Sequence, residues 1–351
     1  MRLGEICKIK YGKDHKKLND GNIPVYGSGG IIRYVDTALR SDPSVLIPRK
    51  GTLGNLFFAS TPFWTVDTLF YTDIDTSEVI PKFLYYQLKT KNLAELNVGT
   101  AVPSLTTEVL NDIEIDLPSL EKQKQVVEVL GRIDTKIEVN SKLNGYLEEL
   151  CDALFLDFLE RADSSWHEGT LEELAEVKYG KDHKKLADGP YPVYGSGGFM
   201  RSAEKSLFSG ESVLIPRKGS LNNVMYVNEA FWTVDTMFFT VPRIPGAAKF
   251  LYQYVKRLDL ASMNSGSAVP SMTTSILNAL SLPVPPRDSL LSFNAKLQSM
   301  YDAVRANNLE NRRLESLRDS LLPKLMAGEI DVSKIDLTQL NSHLTERLLQ
   351  S

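Results

Sequence analysis

Two features of the amino-acid sequence predict an α+β fold with two tandem, similar mixed α/β domains, each followed by a long helix. The first is a nine-residue segment, Lys-Tyr-Gly-Lys-Asp-His-Lys-Lys-Leu, that stands at residues 10–18 and again at residues 178–186. The second is a pair of long stretches, one after each copy, in which apolar and Asn residues recur at spacings of three and four. Two such stretches in one chain predict helices that pair as an antiparallel coiled coil.

The repeat extends far beyond the nine-residue segment. Tyr179 lies 168 residues after Tyr11, and the same offset relates three further pairs of segments: 24–30 and 192–198, 44–51 and 212–219, and 63–68 and 231–236. Further along the chain the offset is 167, as between Ser104 and Ser271, which one deletion in a loop would explain. A copied unit of this length is a whole domain, unlike the roughly 20 to 50 residue units of solenoid proteins. The predicted boundaries are 1–118 and 164–285 for the two domains, 119–163 and 286–330 for the two helices, and 331–351 for a C-terminal tail.

Elements of the first copy follow from apolar runs and their punctuation. Short apolar runs separated by Gly and Pro predict buried strands at residues 45–47, 56–58 and 69–71. Pro81 suits the first turn of a helix because it has no N–H to leave unbonded, so a helix is predicted over residues 82–90. A short helix at residues 106–110 and a closing strand at residues 113–117 complete the copy.

A long helix is predicted after the first copy because no proline interrupts residues 121–160. Its predicted seam residues are Ile133, Ile137, Asn140, Asn144, Leu147, Cys151, Leu154 and Phe158. The seam of the second helix consists of Met300, Val304, Asn307, Asn311, Leu314, Leu321 and Leu325. Asn at a seam position usually fixes the register of the helices at some cost in stability, and contact with a partner protein is the weaker alternative.

Composition indicates an ordinary globular chain of about two domains, since 42% of its 351 residues are apolar and 24% are charged. No run of about eighteen apolar residues occurs and the N-terminus lacks an apolar segment, so we expect neither a membrane span nor a secretory signal, and a cytoplasmic location. Cys7 and Cys151 face Ala175 and Arg318 in the other copy. Both cysteines are therefore expected to be reduced and buried.

Charge is unevenly distributed along the chain, although the net charge is only −4. Residues 1–60 carry ten Lys and Arg against five Asp and Glu, and residues 177–220 carry eight against four. Residues 119–163, in contrast, carry six basic against ten acidic residues. Basic charge is thus concentrated at the head of each copy, where it suits an anionic partner such as nucleic acid.

Lys and Arg side chains in the two heads are candidates for neutralising DNA phosphates. The candidates in the first copy are Lys13, Lys16, Lys17, Arg33, Arg49 and Lys50, and their counterparts are Lys181, Lys184, Lys185, Arg201, Arg217 and Lys218. Arg49-Lys50 and Arg217-Lys218 are the strongest, because each pair lies between a strand that ends in Pro and a Gly, where a loop is presented. A duplicated domain also repeats its solvated face, so a charged hairpin tip is the alternative for each pair.

Several other residues have two interpretations, one structural and one functional. Ser104 and Ser271 either meet bases or phosphates or cap the short helix that follows. The glycine run at residues 27–30 lacks the helix start and Gly-Lys-Ser frame of a phosphate loop, so it is predicted to be a structural turn. His15 and His183 have no Cys or carboxylate at ligand spacing, and no metal site is expected. For Trp64, Asp67, Trp232 and Asp235, core and turn roles are favoured over base stacking.

Catalytic motifs are not found in the sequence. An adenine methyltransferase needs an Asp/Asn-Pro-Pro-aromatic motif, and the one Pro-Pro pair here stands between Val284 and Arg287. No cluster of carboxylates with a Lys resembles a nuclease centre. The chain is therefore predicted to recognise DNA without catalysis. The alternatives are an enzyme with an unrecognised active site and an interaction scaffold whose coiled coil carries the function.

The doubled order of these motifs resembles the DNA-specificity subunit of type I restriction-modification systems. The residues that carry the resemblance are 10–12 (Lys-Tyr-Gly), 24–30 (Pro-Val-Tyr-Gly-Ser-Gly-Gly), 47–51 (Ile-Pro-Arg-Lys-Gly) and 321–330 (Leu-Leu-Pro-Lys-Leu-Met-Ala-Gly-Glu-Ile). It covers nearly all of residues 1–330. The first helix departs from the family pattern, because residues 150–155 replace the Leu-Pro-Lys signature kept at residues 322–324.

The resemblance implies that each domain is a target-recognition domain that reads one half of a bipartite site in double-stranded DNA. It further implies that the paired helices set the gap between the halves and dock two methyltransferase subunits, with a restriction subunit joining through the complex. No cofactor or metal is implied for this chain, since S-adenosylmethionine would be bound by the methyltransferase. Segments that differ between the copies, 31–39 against 199–207 and 54–61 against 222–229, hold either specificity or drift.

Overall fold

A computed structural model describes residues 1–99, 102–263 and 271–330, which form two compact units. Unit 1 comprises Met1–Glu138 together with the chain from Asn311 onward, and unit 2 comprises Val139–Glu310. Each unit combines one α/β domain with parts of both long helices. The predicted domain boundaries therefore stay predictions, and the predicted tail at residues 331–351 lies outside the described residues.

Unit 1 contains a four-stranded and a three-stranded sheet, with strand orders β1-β7-β4-β5 and β3-β2-β6. The strands are β1 Cys7–Tyr11, β2 Ile23–Gly27, β3 Gly30–Val35, β4 Ser44–Pro48, β5 Phe57–Ala59, β6 Trp64–Thr65 and β7 Leu69–Ile74. The helices are α1 Leu3–Ile6, α2 Pro81–Lys89, α3 Thr107–Asn111 and the first part of α4 Leu120–Glu160. The three strands and three helices that the sequence predicts for these segments are confirmed.

Unit 2 repeats this arrangement with a six-stranded sheet of order β11-β10-β13-β12-β14-β9 and a two-stranded sheet of β15 and β8. Its strands are β8 His167–Thr170, β9 Ala175–Tyr179, β10 Tyr191–Gly195, β11 Gly198–Ala203, β12 Phe208–Pro216, β13 Met225–Thr233, β14 Met237–Pro242 and β15 Ser281–Val284. Its helices are α5 Leu171–Leu174, α6 Ala247–Val255, α7 Thr274–Asn278 and the first part of α8 Arg287–Met326.

Two prolines explain why the sheet is divided in unit 1 and continuous in unit 2. Strand β13 pairs with β12 without a break from Met225 to Phe231, including Ala230 with Ser209. Pro62 stands at the position equivalent to Ala230, and Pro43 at the position equivalent to Glu211. Because proline has no N–H to donate to a sheet, the ladder is interrupted at both positions. The equivalents of β13 in unit 1 are therefore the two short strands β5 and β6.

The closing strand predicted over residues 113–117 is wrong. The segment makes one isolated bridge, between Arg2 and Glu114, and the amine of Met1 donates to the Ile115 carbonyl at 3.2 Å. The equivalent segment of unit 2 is strand β15, because β8 lies beside it and pairs with it over four positions. The residues beside this segment in unit 1, Met1 and Leu3, bond only Ile115 and Ile113, so the ladder is too short to form a strand. The length of a neighbouring ladder is not something that apolar patterning can indicate.

The two long helices are antiparallel within each unit, as predicted. The contacting pairs are Asp134–Arg318 and Ile137–Asn311 in unit 1, and Asn144–Asn307 and Cys151–Met300 in unit 2. In both units, residues further along α4 meet residues earlier in α8. Of the predicted seam residues, the buried ones are Ile133, Asn140, Asn144, Cys151, Asn311, Leu314 and Leu325. The half-buried ones are Ile137, Leu147, Leu154, Phe158, Met300, Val304, Asn307 and Leu321.

Each domain core extends onto the helix pair of its own unit. Leu322, from the Leu-Pro-Lys signature, packs into the core of unit 1. Phe155 holds the equivalent position in α4 and is fully buried in the core of unit 2, in contact with Phe250 and Phe293. The departure from the signature in the first helix thus replaces one apolar anchor with a larger one.

Both cysteines are free and buried, as expected. Burial raises the pKa of the Cys7 thiol to about 12 and that of Cys151 to about 11. Both side chains are therefore neutral thiols at neutral pH. Among the described residues, no helix combines the length and the apolar character needed to cross a membrane.

Candidate nucleic-acid interface

The basic loop of each copy, residues 13–18 and 181–186, is fixed by the same hydrogen bonds. The Asp14 carboxylate accepts the backbone N–H of Lys16 at 3.1 Å, which holds the pKa of Asp14 below its usual value. Trp64 Nε1 donates to the carbonyl of Lys13 at 2.9 Å. The counterparts in the second copy are Asp182 with Lys184 at 3.0 Å and Trp232 with Lys181 at 2.8 Å. The exposed lysines at 13, 16, 17, 181, 184 and 185 are thus presented on ordered loops.

Glycine is required where the chain enters this loop. A Cβ atom on Gly12 would lie 2.1 Å from the carbonyl oxygen of Val66, and one on Gly180 would lie 2.0 Å from that of Val234. The backbone of the loop therefore approaches the neighbouring segment more closely than any other residue permits. This constraint explains why glycine stands at this position in both copies.

Arg33 and Arg201 donate hydrogen bonds to the ends of the basic loops. Arg33 Nη2 donates to the carbonyl of Leu18 at 3.3 Å and to the Asp20 carboxylate at 2.6 Å. Arg201 Nη2 donates to the carbonyl of Leu186 at 2.6 Å. Both arginines are half-buried. The structure therefore gives them an internal role, and DNA contact by these two residues stays a prediction.

Arg49 and Arg217, the strongest candidates from the sequence, each lie over a tyrosine ring. The guanidinium carbon of Arg49 is 5.6 Å from the ring centre of Tyr11, and that of Arg217 is 5.5 Å from the ring centre of Tyr179. The two tyrosines are 52% and 50% exposed, so an arginine and an aromatic face are presented together in each copy. Sequence reasoning missed these tyrosines, although both belong to the repeated nine-residue segment.

Lys50 and Ser104 are brought together, as are Lys218 and Ser271, because each pair forms an antiparallel bridge. The backbone N–H of Leu105 donates to the Arg49 carbonyl at 2.9 Å, which joins the two loops. The capping alternative for the two serines is wrong. The short helices α3 and α7 are capped by threonines, since Thr106 Oγ1 accepts the N–H of Val109 and Thr273 Oγ1 accepts that of Ile276.

The glycine run is a structural turn, as predicted, because it joins the antiparallel strands β2 and β3. Gly30 and Gly198 have φ values of 119° and 108°, a conformation that favours glycine. Asn55 Nδ2 donates to the carbonyl of Ser28 at 2.9 Å, and Asn223 Nδ2 to that of Ser196 at 2.7 Å. These amides tie the turn to the segment that follows the Arg-Lys-Gly loop.

Other residues considered from the sequence have structural surroundings. Trp64 is buried and its N–H is already bonded to the basic loop, as the core interpretation requires. Asp67 lies 3.8 Å from Arg49 and is exposed, and the Asp235 carbonyl accepts a bond from Arg217 at 3.3 Å. Among the residues that the structure describes, no group of three or more His, Cys, Asp or Glu side chains is arranged to hold a metal.

In each copy the basic loop, the glycine turn, the Arg-Lys-Gly loop and a serine are thus linked into one surface. Its chemistry consists of flexible ammonium groups, a guanidinium over an aromatic ring, and exposed backbone at the glycines. Such a surface suits a polyanion with planar bases. Because the same surface occurs twice on one chain, the protein is of the recognition class, with two similar binding domains.

A family model, the type I restriction modification DNA specificity domain, matches residues 1–149 and again residues 163–317. The chain therefore belongs to this family, and the resemblance seen in the sequence is confirmed. Proteins of this family are DNA recognition subunits, so the prediction that the chain is not itself an enzyme is also confirmed.

Curated relatives and a solved structure agree with this assignment. The chain is 24% identical to the type I restriction enzyme MjaIX specificity subunit of Methanocaldococcus jannaschii, across 83% of this chain and 78% of the relative. It is 22% identical to the HindI specificity subunit of Haemophilus influenzae, across 78% and 81%. The crystal structure of a type I restriction-modification S subunit from M. genitalium has the same fold, with a TM-score of 0.59, 19% identity, and coverage of 93% and 95%.

Proposed function

We propose that this chain reads a bipartite site in double-stranded DNA, with one half-site for each domain, as the specificity subunit of a type I restriction-modification complex. The observation that carries the proposal is the duplicated surface, in which an arginine lies over an exposed tyrosine and a lysine is bridged to a serine. Chromosomal DNA as the target implies a cytoplasmic location.

Phosphate contacts and base contacts are assigned to different parts of this surface. The six exposed lysines of the basic loops, which are identical in the two copies, neutralise phosphates and position each domain on the duplex. Arg49, Lys50, Arg217 and Lys218 extend this contact beside the exposed rings of the tyrosines. Since the framework is shared, sequence preference resides where the two copies differ.

Partner binding is assigned to the outer face of α4. Val139, Leu143, Tyr146 and Leu150 are between 44% and 67% exposed and follow one another at spacings of four, three and four. An unpartnered apolar stripe with coiled-coil spacing favours helix packing against another protein. Two methyltransferase subunits bind through the helices, S-adenosylmethionine is held by those subunits, and a restriction subunit joins through the complex.

The duplicated surface is tested by changing Arg49, Lys50, Arg217 and Lys218 together to Ala in the full chain. Four lost phosphate contacts reduce the slope of log affinity against log salt by about 0.9 each. DNA affinity is measured by titration at several salt concentrations. The matched control replaces four exposed basic residues outside the surface, Arg2, Lys122, Lys124 and Lys296. An unchanged slope in the first variant, or an equal loss in the control, rejects the placement of DNA on this surface.

The spacing role of the helices is tested by inserting seven residues into each helix at one level, after Glu138 and after Glu310. One heptad keeps the seam in register and lengthens a helix by about 10 Å. The unread gap of the target should lengthen by about three base pairs, since one pair spans about 3.4 Å of duplex. Sequencing modified adenines in a host that expresses the subunit with its methyltransferase reads the gap directly. An unchanged gap with retained methylation rejects the role.

A further inference from the structure

Each domain carries a β-hairpin whose tip is apolar and exposed. Ile31 and Ile32 follow the turn between β2 and β3 and are 47% and 53% exposed, and Phe199 and Met200 hold the same positions after the turn between β10 and β11, at 52% and 53%. Single exposed apolar residues are common, but two adjacent ones at a hairpin tip in both copies form an apolar patch that indicates contact with a partner.

The two hairpins differ at both exposed positions of their tips. Ile31 is replaced by Phe199 and Ile32 by Met200, whereas the half-buried Arg33 is retained as Arg201. The substitutions change shape while keeping large apolar side chains. Ordinary drift at solvated positions admits polar residues, so retention of apolar character with altered shape indicates two related binding surfaces of different preference.

The same contacts support the tips in both copies. The glycine turn is held by Asn55 and Asn223, and both hairpins have the same register shift, after Val25 and after Val193. A Cβ atom on Gly27 would lie 3.2 Å from Cγ2 of Ile32, and one on Gly195 would lie 2.5 Å from Sδ of Met200. The glycines therefore leave room for the side chains of Ile32 and Met200.

The tips lie among the basic elements of the same surface. Arg33, one residue beyond the first tip, donates to the carbonyl of Leu18 in the basic loop, and Ser28 of the turn lies beside Gly51 of the Arg-Lys-Gly loop. The lysines and arginines around each tip would hold the phosphates of a duplex. Because an apolar side chain cannot bind phosphate, the tips would then lie against the edges of the bases. A two-stranded β-ribbon fits the major groove, where the thymine methyl group is the apolar feature of the bases.

We propose that the two hairpin tips enter the major groove of the two half-sites and contact thymine methyl groups, through Ile31 and Ile32 in one domain and Phe199 and Met200 in the other. The proposal rests on the proposed function and adds specificity-determining residues to it. Each half-site then contains at least one thymine, on either strand, whose methyl group contributes to affinity. The different shapes of the two tips give the half-sites different preferences.

The test replaces single thymines of the target by deoxyuridine, which removes only the methyl group. The target is first read by sequencing modified adenines in a host that expresses the chain with its methyltransferase. The purified complex is then titrated with duplexes carrying one deoxyuridine at a time. For the wild type, at least one position in each half-site should lower affinity about fourfold, the value expected for one buried methyl group.

Ile31→Ala with Ile32→Ala should abolish the deoxyuridine effect in the first half-site and preserve it in the second. Phe199→Ala with Met200→Ala should do the reverse. Tyr34→Ser, which changes an exposed residue of the same strand away from the tip, should preserve both effects. Because all these side chains are exposed, the variants are expected to fold, and their urea unfolding is compared with that of the wild type.

If the wild-type complex binds no DNA site specifically, the proposed function itself is overturned. Specific binding with no deoxyuridine effect at any thymine, as apolar insertion into the minor groove would give, overturns the thymine proposal alone. So does a wild-type effect that persists in both double variants. Variants that lose methylation while keeping wild-type DNA affinity and the deoxyuridine effect would assign the tips to a protein partner and also overturn it.

Discussion

Asn307 Nδ2 donates a hydrogen bond of 2.8 Å to Asn144 Oδ1 within the helix pair of unit 2. Asn144 is only 8% exposed, and its own amide donates to Asn308 Oδ1 at 2.9 Å. A polar pair inside an apolar seam is satisfied only when the two helices are aligned so that the amides meet. The pair therefore favours one register over others.

Replacing Asn144 alone by Leu should destabilise the chain, because the amide of Asn307 then faces an apolar side chain. We expect a loss of about 1–3 kcal/mol in the free energy of unfolding. The double change Asn144→Leu with Asn307→Leu should recover most of that loss, since both polar groups are then gone. Urea denaturation of the full chain measures the stability of the single and the double variant. The control is Tyr146→Ala, an exposed change on the same helix, which should shift stability by less than about 0.5 kcal/mol. A double variant as unstable as the single one would contradict the pairing.

Lys249 and Lys82 are equivalent lysines that meet different carboxylates. Lys249 is fully buried and donates to Glu211 on strand β12, as well as to Asn294 at 2.8 Å and Gln298 at 2.9 Å on α8. Lys82 pairs with Asp134 on α4 at 3.0 Å and is 26% exposed. In each unit the lysine thus joins a domain helix to a long helix, directly or through amides.

Lys249→Met should be the more damaging of the two changes, because it removes the fully buried cation that pairs with the half-buried Glu211 and leaves that carboxylate with the hydrogen bond from the neutral Tyr226 hydroxyl. We expect a loss of about 3–5 kcal/mol, the usual cost of removing one partner of a buried ion pair. Lys82→Met should cost less, since Arg318 and the Tyr86 hydroxyl still bond Asp134. Thermal unfolding measured for both variants compares them. Adding Glu211→Gln to Lys249→Met should restore part of the stability, and no restoration would argue against a stranded charge.

The sequence predicts the repeat, the long helices, the short strands and the glycine turn, because each of these depends on a local pattern of residues. It does not predict the carboxylates that meet Lys82 and Lys249, since Asp134 is replaced by Tyr301 at the equivalent position and Glu211 by Pro43. Partner choice across a fold depends on packing that no local pattern records.

The sequence does contain a signal for some features that were not predicted from it. Pro62, standing where the second copy has Ala230, is a local signal for the divided sheet of unit 1. The tyrosines beneath Arg49 and Arg217 were also visible as part of an identical segment, but their exposure depends on the surrounding strands. Exposure of the hairpin tips has the same origin, and an apolar pair such as Ile31-Ile32 in a strand ordinarily indicates a buried position.

Asp134 should make the free energy of unfolding fall as the pH is lowered. Burial by itself raises the pKa of Asp134, but the hydrogen bond from Tyr86, the charge and hydrogen bond of Lys82 and the hydrogen bond from Arg318 outweigh it, so the folded-state pKa lies below the usual value. A depressed pKa contributes stability that is present above the unfolded-state pKa of about 3.9 and is lost as pH falls through the folded-state pKa. The difference in stability between the wild type and Asp134→Asn should therefore be constant from pH 7 to about pH 5 and shrink below about pH 4.

Urea midpoints measured for both proteins from pH 7 to pH 3 give this difference directly. Asp112→Asn serves as the control, because the Asp112 ion pair with Arg2 is exposed and contributes little. A difference that grows rather than shrinks in acid would mean that the folded-state pKa of Asp134 lies above its unfolded-state pKa.

Trp64→Phe combined with Trp232→Phe should weaken DNA binding without removing any positive charge. Each change deletes the N–H that holds a basic loop through the carbonyl of Lys13 or Lys181, so the lysines are less well ordered before binding. One lost hydrogen bond corresponds to a roughly two- to tenfold loss of affinity. The slope of log affinity against log salt should stay at the wild-type value, since that slope counts phosphate contacts. Trp166→Phe is the matched control, because Trp166 packs against Phe158 and Phe250 away from the loops. An altered slope in the double variant, or an equal loss in the control, would show that the two tryptophans act on DNA binding by some route other than loop order.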